Sequence, residues 1–398
     1  MLMIVLTALG DVIRWVLLIL TLPLLIELFG LTLASLLPAP SFSPRDGTIA
    51  GQIQRLVVLI PSHNEETCIT RCIDSLLLAS SPPESIIVIA HNCTDSTAQL
   101  ARSAGVGVFL LDDSSRGGKG HALQAGLNHA FSKLGAEAVL IVDADSTVSS
   151  NMVPALLKRL ATAEVVQCRY QVRNHGASWR TKLVSLAFLG MNVIRPRGRD
   201  RLGLSCGIFG NGFALRKEVL DEVPYTAHSI VEDLEFHLKL VEHGFRVRFI
   251  EEALVLADMP LSGAAAASQH ARWEGGRVRL LSDWWPKLLQ GIVRGKFTML
   301  EPLIDLLGVP LGIEVLFLLL LLLLPGYPFR DYGFLAFAIV LFHLAVVVYA
   351  SPDRKASLQA LARAPIYLFW RVSMVPSIIR ASRSGAAWIR THRDSAPR

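Results

Sequence analysis

The chain has 398 residues, a formal net charge of +6 and a hydrophobic fraction of 52%. Its mean hydropathy of +0.44 excludes an ordinary soluble protein. The basic balance, with a pI near 9.2, is compatible with nucleic-acid binding, but the sequence contains no RNA- or DNA-binding motif. Cationic segments beside apolar ones instead predict contact with anionic membrane lipids, and no nucleic-acid partner is expected.

Three apolar segments are long enough to cross a bilayer. They are residues 15–37, 303–324 and 332–350. The first is longer than the apolar core of a signal peptide, so we expect a retained anchor rather than a cleaved leader. Glu27, Asp305 and Glu314 lie within these segments. They are expected to face other helices or the membrane interface, because an ionised group that faces lipid is costly.

Positive charge sets the expected orientation. Arg294 and Lys296 precede the second apolar segment, and Arg354 and Lys355 follow the third. The positive-inside rule therefore places the central part of the chain in the cytosol and the N-terminus outside. Residues 357–379 could span the membrane, but their arginines and prolines favour an interfacial or re-entrant segment.

This pattern predicts a multi-pass protein of the plasma (inner) membrane in four parts. They are an N-terminal transmembrane anchor (1–38), a cytosolic domain (39–298), two transmembrane helices (299–350), and an interfacial or re-entrant segment followed by a basic cytosolic tail (351–398).

The cytosolic part alternates apolar runs with segments that have apolar residues at helical spacing. The runs predicted as strands are residues 55–61, 85–90, 106–112 and 138–145. This alternation predicts an α/β domain with a mostly parallel sheet. Ligands bind beyond the carboxyl ends of the strands in such sheets. Polar residues end or follow each predicted strand, so the sequence predicts a polar site at this edge.

The fourth predicted strand ends in two carboxylates. Asp143 and Asp145 are two residues apart, so in a strand both side chains would point the same way. A solvated turn is the alternative, since Asp and Ser are common turn residues. Carboxylates with open positions suit Mg²⁺ or Mn²⁺, which commonly take one or two protein carboxylates plus substrate phosphates.

Two basic segments have more than one interpretation. The segment RGGKGHA (116–122) lacks the glycine spacing and the Ser or Thr of a P-loop. It is either a flexible turn before a helix or a loop that brings Lys119 near a nucleotide. The segment RPRGRDRLG (195–203) is either a solvated, membrane-facing loop or an attraction site for an anionic lipid or a lipid diphosphate acceptor.

Two predicted helices carry polar residues in a tight group. Residues 229–244 begin a helix with Glu232 and Asp233, which the helix dipole favours, and Asp233 is also spaced to pair with His237. Residues 269–277 are typical of an amphipathic helix at the membrane surface. This second helix brings together Gln269, Arg272 and Trp273.

In this order the motifs resemble those of the membrane-integrated, inverting family 2 glycosyltransferases. That group includes cellulose, chitin, hyaluronan and poly-N-acetylglucosamine synthases and ceramide glucosyltransferase. The similar segments are IPSHNEE (60–66), the DxD segment VDAD (142–145), GNGFALRKEVL (210–220), VED (231–233) where the family usually has TED, and the full QxxRW segment QHARW (269–273). His91 stands where the family usually has an Asp that contacts uracil.

The resemblance implies a GT-A type nucleotide-sugar-binding domain and a role for each motif residue. Asp145, aided by Asp143, would hold Mg²⁺ or Mn²⁺, and Asp233 would be the catalytic base. The residues implied for the donor nucleotide are Pro61, Glu65, His91, Lys119, Asp143, Asp145 and Arg272. The residues implied for the acceptor are Glu232, Gln269 and Trp273.

These roles imply transfer of a sugar from a UDP-sugar to a polysaccharide or glycan acceptor, with formation of a β-linkage, in cell-envelope or exopolysaccharide synthesis. Single-sugar transfer to a membrane lipid is the alternative within enzymes. A non-catalytic subunit of an envelope polysaccharide complex is the alternative of another class. Three or four spans are few for a polymer channel, so polymer export would require an oligomer or a partner.

Overall fold

The computed structural model describes residues 2–39, 53–113, 117–324 and 326–382, with side chains described from residue 9 onward. The predicted basic tail beyond residue 382 and the linker at 40–52 lie outside this part of the chain. The strands are β1 (Leu56–Ser62), β2 (Ile86–His91), β3 (Gly107–Leu111), β4 (Ala138–Ile141), β5 (Thr147–Val148), β6 (Val165–Val172), β7 (Phe213–Arg216) and β8 (Val247–Ala257).

The helices follow the same chain order. They are α1 (Leu2–Ala34), α2 (Ile69–Leu78), α3 (Thr97–Ser103), α4 (Lys119–Ser132), α5 (Met152–Leu160), α6 (Trp179–Leu189), α7 (Arg195–Arg201), α8 (Lys217–Glu222), α9 (Glu232–Glu242), α10 (Gly263–Val293), α11 (Leu300–Leu307), α12 (Leu311–Leu323), α13 (Phe329–Ala350), α14 (Arg354–Leu361), α15 (Ala364–Ser373) and α16 (Val375–Ala381). A π-helical turn, Gly190–Ile194, joins α6 to α7.

The strands form one mixed sheet in the order β3-β2-β1-β4-β7-β6-β8-β5. Strands β3, β2, β1 and β4 pair in parallel, and so do β6 and β8. Strand β7 runs antiparallel between β4 and β6, and the short β5 runs antiparallel at the edge. The predicted α/β architecture with a mostly parallel sheet is confirmed.

Helices cover both faces of the sheet. Along β1, Leu59 lies in a core cluster with residues of α4, whereas Ile60 lies in a second cluster with residues of α2 and α5. This alternation follows the two-residue period of a strand, and burial on both faces explains why the run is continuously apolar. The carboxyl ends of the parallel strands are therefore fixed from two sides.

Within the described residues, two helices are long and apolar enough to cross a membrane, Leu9–Ala34 within α1 and Phe329–Ala350, which is α13. They overlap the first and third predicted spans. The second predicted span is not straight, because it breaks between α11 and α12 with a bend of 77° across Phe297–Leu307 and Leu311–Leu323. Gly308 and Pro310 at the break explain the bend, since proline disfavours helical conformation in the residue before it. Residues 357–379 form short helices rather than one long helix.

The segment with four arginines, 195–203, makes ion pairs that neither interpretation of its sequence anticipated. Arg195 and Arg199 each lie 3.0 Å or less from a carboxylate oxygen of Glu27 in α1, and each lies 3.0 Å from Asp305 in α11. Arg199 also pairs with Glu301. Arg197 pairs with Glu251, and Arg201 donates to the carbonyl of Ser35.

We call Glu27, Arg195, Arg199, Arg277, Glu301 and Asp305 the ion-pair hub. Its three carboxylates lie close enough together to hold a metal ion, but three guanidinium groups already balance them. The Arg199 side chain is only 6% exposed and that of Glu27 only 8%. Both interpretations of this segment, a membrane-facing loop and a site for anionic lipid, are therefore wrong for Arg195 and Arg199. The guanidinium groups of these two residues instead join the sheet domain to α1 and α11.

We predict that Arg199→Met lowers the free energy of unfolding by about 3–5 kcal/mol, because buried carboxylates lose their partner. Chemical denaturation of the full chain in detergent micelles, followed by tryptophan fluorescence, measures the change. The matched control is Arg279→Met, an exposed arginine of α10, which should shift stability by no more than about 0.5 kcal/mol. Equal losses in the two variants would contradict the role of the hub.

Candidate active site

The predicted polar edge of the sheet exists, and residues at or after the ends of three neighbouring strands lie along it. Strand β1 pairs with β2 on one side and with β4 on the other. Glu65 follows β1, and His91 ends β2. Asp143 follows β4 by two residues. These ends lie at one edge because the three strands are parallel.

The two carboxylates of the DxD segment lie beyond their strand, in a turn. Strand β4 ends at Ile141, so the strand period does not set the directions of Asp143 and Asp145, which corrects the argument from spacing. Side-chain bonds hold this turn instead. The Asp143 amide donates to Asn211 Oδ1 at 3.1 Å, and Asn211 Nδ2 donates to Ser146 Oγ at 2.8 Å. Through these two bonds Asn211, which lies just before β7, fixes the turn that carries Asp143 and Asp145.

Lys119 is the cation at the centre of the acidic groups. Its Nζ lies 2.5 Å from Asp143 Oδ1, donates to the Gly210 carbonyl at 2.5 Å, and lies 4.0 Å from Glu232 Oε1. Lys119 begins α4, and a Cβ on the next residue, Gly120, would collide with the Ala227 carbonyl. This close approach brings the start of α4 against the segment that leads into Glu232.

Gly210 packs directly against the proposed base. Its φ of +71° is a left-handed conformation that glycine adopts without strain. A Cβ built there would lie 3.0 Å from Asp233 Oδ2 and 3.5 Å from Lys119 Nζ. The absence of a side chain therefore lets the loop 207–212 lie against Asp233 and Lys119 together.

A buried glutamine that sequence analysis missed holds this loop. Gln167 Nε2 donates to the carbonyls of Asn211 (2.8 Å) and Gly212 (3.2 Å). Its Oε1 accepts a hydrogen bond from the Phe209 amide at 3.0 Å. The sequence signal was a polar residue within the otherwise apolar start of β6. Because the side chain is fully buried, its bonds fix the loop without contact with solvent.

Burial and one shared cation govern the charges in this group. Burial raises the pKa of Glu232 to about 7, although Lys119 acts to lower it. Burial likewise raises the pKa of Asp143 and of Asp233, and Lys119 opposes both shifts. Burial would lower the pKa of Lys119, but Asp143 and then Glu232 hold it above its ordinary value. The ammonium group therefore remains charged while the carboxylates compete for it.

The start of α9 presents Glu232 and Asp233 to this cation. Asp233 Oδ1 accepts a hydrogen bond from the Leu234 amide at 2.9 Å, so the helix N-terminus orients the carboxylate. The possible pairing of Asp233 with His237 does not occur. His237 is buried and bonds to Ser205 Oγ at 2.8 Å, and burial lowers its pKa to about 4.

Helix α10 carries the QxxRW residues across this site. Gly276 allows the helix to approach Val231, since a Cβ there would lie 2.9 Å from Val231 Cγ1. Burial lowers the pKa of Arg272, and nearby Glu232 acts to raise it, so this guanidinium lies within electrostatic range of the acidic group. The predicted amphipathic helix is therefore also part of the site.

Gln269 and Trp273 lie among aromatic side chains. The Trp273 ring lies 6.2 Å from that of Phe188 and 5.8 Å from that of His270, measured between centroids. Gln269 lines a small cleft together with His270 and Trp370 of α15. The aromatic lining suits the face of a sugar ring. Sequence analysis missed Trp370, which only the packing of α15 brings here.

The other end of the edge is formed by the ends of β1, β2 and β3. The Cys68 thiol lies 3.1 Å from Glu65 Oε2, and His63 Nδ1 hydrogen-bonds the His91 carbonyl at 2.8 Å. The His91 side chain is buried, with its ring centroid 5.6 Å from that of His121. Pro61 lies in β1 beside Ile89 of β2. His91 packs beside His121, two residues after Lys119 in α4, so this end of the edge lies next to the start of α4.

The residues of the turn fit a divalent cation by the chemistry of their donors. Asp143 and Asp145 offer hard oxygen ligands, and two carboxylates leave positions for phosphate oxygens. Asp145 raises the pKa of Asp143, which shows that the two negative charges are close enough to repel. A cation that binds both carboxylates would relieve this repulsion.

Comparison with known families adds to this geometry. The family described as "Glycosyltransferase like family 2" matches residues 54–276, more than half of the chain. The chain belongs to this glycosyltransferase family. The match covers β1 to the middle of α10, and therefore includes every residue of the site described above except Trp370.

Three relatives show which glycosyltransferases this chain resembles in sequence. The probable glycosyltransferase YdaM of Bacillus subtilis is 23% identical over 235 residues, covering 56% of each chain. The poly-β-1,6-N-acetyl-D-glucosamine synthase of Staphylococcus epidermidis is 23% identical over 244 residues, 60% of this chain and 58% of that one. Glucomannan 4-β-mannosyltransferase 7 of Arabidopsis thaliana is 26% identical over 241 residues, 57% and 43% of the two chains. The chain spans about half the length of these relatives.

One solved structure resembles the glycosyltransferase along nearly its whole length. It is the mannosyltransferase PcManGT from Pyrobaculum calidifontis, in complex with GDP-Man and Mn²⁺. The TM-score is 0.53 at 18% identity, and the match covers 94% of this chain and 97% of that one. This likeness, with the sheet order, confirms the predicted GT-A type fold.

We predict that Gly210→Ala lowers the transfer rate at least tenfold, because the new methyl group displaces Asp233 or Lys119. Gly105→Ala is the matched control, since Gly105 has a φ of +78° and open space around its Cβ position. Both variants should lose about 1–2 kcal/mol of stability from left-handed strain. Steady-state rates and thermal unfolding separate the two effects. Equal rates in the two variants would contradict the close approach at Gly210.

Proposed function

We propose that this family 2 glycosyltransferase moves a hexose from a nucleotide-sugar to an acceptor hydroxyl with inversion, forming a β-linkage. The observation that carries the proposal is the meeting of Lys119, Asp143 and Glu232 at the carboxyl edge of the sheet, with Asp233 beside them. Three separate chain segments supply these groups. A structural role does not require such a concentration of partly buried charge, whereas departure of a diphosphate does.

Asp233 is the proposed catalytic base. It accepts the proton of the acceptor hydroxyl, and that oxygen attacks the anomeric carbon from the face opposite the leaving group. The new C–O bond forms as the bond to the diphosphate oxygen breaks, so an α-linked donor gives a β-linked product. The raised pKa of Asp233 supports this role, because a base whose pKa is closer to neutrality takes a proton more readily.

The leaving diphosphate requires positive charge. Lys119 and Arg272 supply two such charges from this chain. A divalent cation, Mg²⁺ or Mn²⁺, held by Asp145 and Asp143 would neutralise the diphosphate when bound. PcManGT, the relative with the same fold, was solved with Mn²⁺. Glu232 is proposed to contact the acceptor, as are Gln269 and Trp273 on α10.

The nucleoside is proposed to lie against Pro61, Glu65 and His91. A UDP-sugar is the expected donor from the family resemblance, whereas PcManGT was solved with GDP-Man. His91, whose imidazole is buried, stands where the family usually has an Asp that contacts uracil. Which nucleobase the site binds is therefore a question for experiment. Release of nucleoside diphosphate from panels of UDP-sugars and GDP-sugars answers it, and activity with UDP-sugars is expected.

The acceptor is proposed to be a glycan of the cell envelope or a lipid that carries the acceptor hydroxyl. Relatives named as poly-β-1,6-N-acetyl-D-glucosamine synthase and glucomannan mannosyltransferase support a glycan product. The number of candidate spans in the described residues, two or up to three with the bent pair, supports the lipid. We place the protein in the plasma membrane with its catalytic domain in the cytosol, where nucleotide-sugars are available. Export of a long polymer would need an oligomer or a partner.

We predict that Asp233→Asn abolishes transfer while binding of the nucleoside diphosphate is kept, because the amide cannot accept the hydroxyl proton. Rates come from a radiolabelled donor, and binding from calorimetry. Asp221→Asn, an exposed carboxylate of α8, is the control and should behave like wild type. Normal turnover in Asp233→Asn would reject this base. Equal loss in the control would show a general effect on folding.

We predict that chelation by EDTA stops transfer and that added Mn²⁺ or Mg²⁺ restores it. Asp145→Asn should raise the Mn²⁺ concentration required for half-maximal activity at least tenfold, since one ligand loses its charge. Asp74→Asn, exposed on α2, is the matched control. An EDTA-resistant enzyme, or an Asp145→Asn variant with unchanged dependence on Mn²⁺, would contradict the metal site.

A further inference from the structure

An apolar groove lies between α10 and α11. It is lined by Leu281, Ser282, Trp285 and Leu289 of α10 and by Leu303 and Leu307 of α11. Its cavity volume is about 340 Å³, at the lower end of the roughly 300–1,000 Å³ of ligand pockets. Trp285 is 50% exposed and Leu307 is 55% exposed. The groove is therefore open and almost wholly apolar.

Packing and ion pairs fix the two helices that form the walls of the groove. Trp284 and Leu288, on the neighbouring face of α10, pack in a core cluster with Leu238 and Val241 of α9 and with Leu306 of α11, and the groove residues Leu281 and Leu303 pack against this cluster. Helix α9 begins with Glu232 and Asp233, so the groove backs onto the helix that presents the proposed base. Glu301 and Asp305 on α11 bind the arginines of the ion-pair hub, which fixes the second wall.

The groove continues into surfaces that belong to the membrane. Helix α11 leads through the bend directly into α12, in which eight of thirteen residues are leucine, and the two together are apolar enough for a broken span or a re-entrant loop. Further apolar side chains are exposed on or beside the same two helices, Val278 on α10 and Phe297 and Leu300 before and at the start of α11. Such a band is costly in water and favourable in hydrocarbon.

The groove also lies close to the transfer site. Trp273 and Leu281 are on the same continuous helix, eight residues apart, which corresponds to about 12 Å at 1.5 Å per residue. A chain held along residues 281–289 thus has its polar end within about two to three helical turns of Arg272 and Trp273. A soluble glycan has no use for an apolar surface at this place.

We propose that this groove binds the hydrocarbon chain of a membrane lipid that carries the acceptor hydroxyl. The inference rests on the proposed function and names its acceptor class. The lipid enters from the bilayer beside α11 and α12, and its headgroup lies over the N-terminal half of α10. Burial of methylene groups against leucine and tryptophan gives the binding energy, and Asp233 receives the proton of the headgroup hydroxyl.

The test fills the groove and leaves the catalytic groups intact. Ser282→Phe and Leu307→Trp add bulk inside the groove. Leu78→Phe adds bulk to an exposed apolar position of α2, which does not line the groove, and is the matched control. The full-length protein is placed in nanodiscs made from a total lipid extract of its host membrane. Labelled nucleotide-sugars are supplied, and butanol-extractable product is counted separately from water-soluble product and from released nucleoside diphosphate.

The expected result is a labelled, butanol-extractable product whose formation falls at least tenfold in both groove variants, with control activity unchanged. Release of nucleoside diphosphate to water, without acceptor, should be equal in all four proteins. A product that is only water-soluble, or groove variants that keep lipid transfer, would overturn the inference while the proposed function stands. No release of nucleoside diphosphate from any donor by the wild type would overturn both.

A second measurement reads occupancy of the groove directly. Nanodiscs that contain a phospholipid with a diazirine-bearing acyl chain are irradiated, and cross-linked peptides are mapped by mass spectrometry. Cross-links are expected within 281–307 of the wild type and should be lost in Ser282→Phe. Their absence from the wild type, or a groove variant that instead converts a dimer to a monomer in sedimentation, would overturn the lipid as the occupant.

Discussion

A shortage of positive charge at one edge of the sheet is the constraint on which the rest of the molecule depends. Four carboxylates share two basic groups there: Asp143, Asp145, Glu232 and Asp233 against Lys119 and Arg272. Burial, together with the charge of Asp233, raises the pKa of Glu232 although Lys119 opposes the shift. A diphosphate would add further negative charge, and for this reason we propose that a donor binds together with a divalent cation. The same imbalance keeps Lys119 charged and central.

The backbone around this charge is held by groups that never touch it. Gln167 fixes the loop 207–212 from the sheet interior, and Gly210 lets that loop lie against Asp233. The ion-pair hub likewise fixes the backbone where the sheet domain meets α1 and α11, because Arg199 of α7 pairs with carboxylates of both helices. Helices α9, α10 and α11 share one core, so the helix that presents Asp233 is packed against the first half of the bent candidate span.

Much of this arrangement was predictable from sequence, because it follows from local periodicity. The strands β1 to β4 and their order of helices follow from apolar runs, and the edge position of Glu65, His91 and Asp143 follows from parallel strands. Long-range contacts carry no such signal. The partners of Arg195 and Arg199 are in α1 and α11, more than 100 residues away in sequence, so charge alone suggested lipid. The turn that holds Asp143 depends on Asn211, which only the pairing of β4 with β7 brings near.

Crystals of the full chain soaked with Mn²⁺ and a nucleoside diphosphate test the central claim most directly, through anomalous scattering at the manganese edge. The account predicts one strong peak within bonding distance of Asp145 and of diphosphate oxygens, with Lys119 on the same diphosphate. Nucleotide bound at the edge with no anomalous peak beside Asp145 would contradict it, because the site would then meet a diphosphate with only its own two cations.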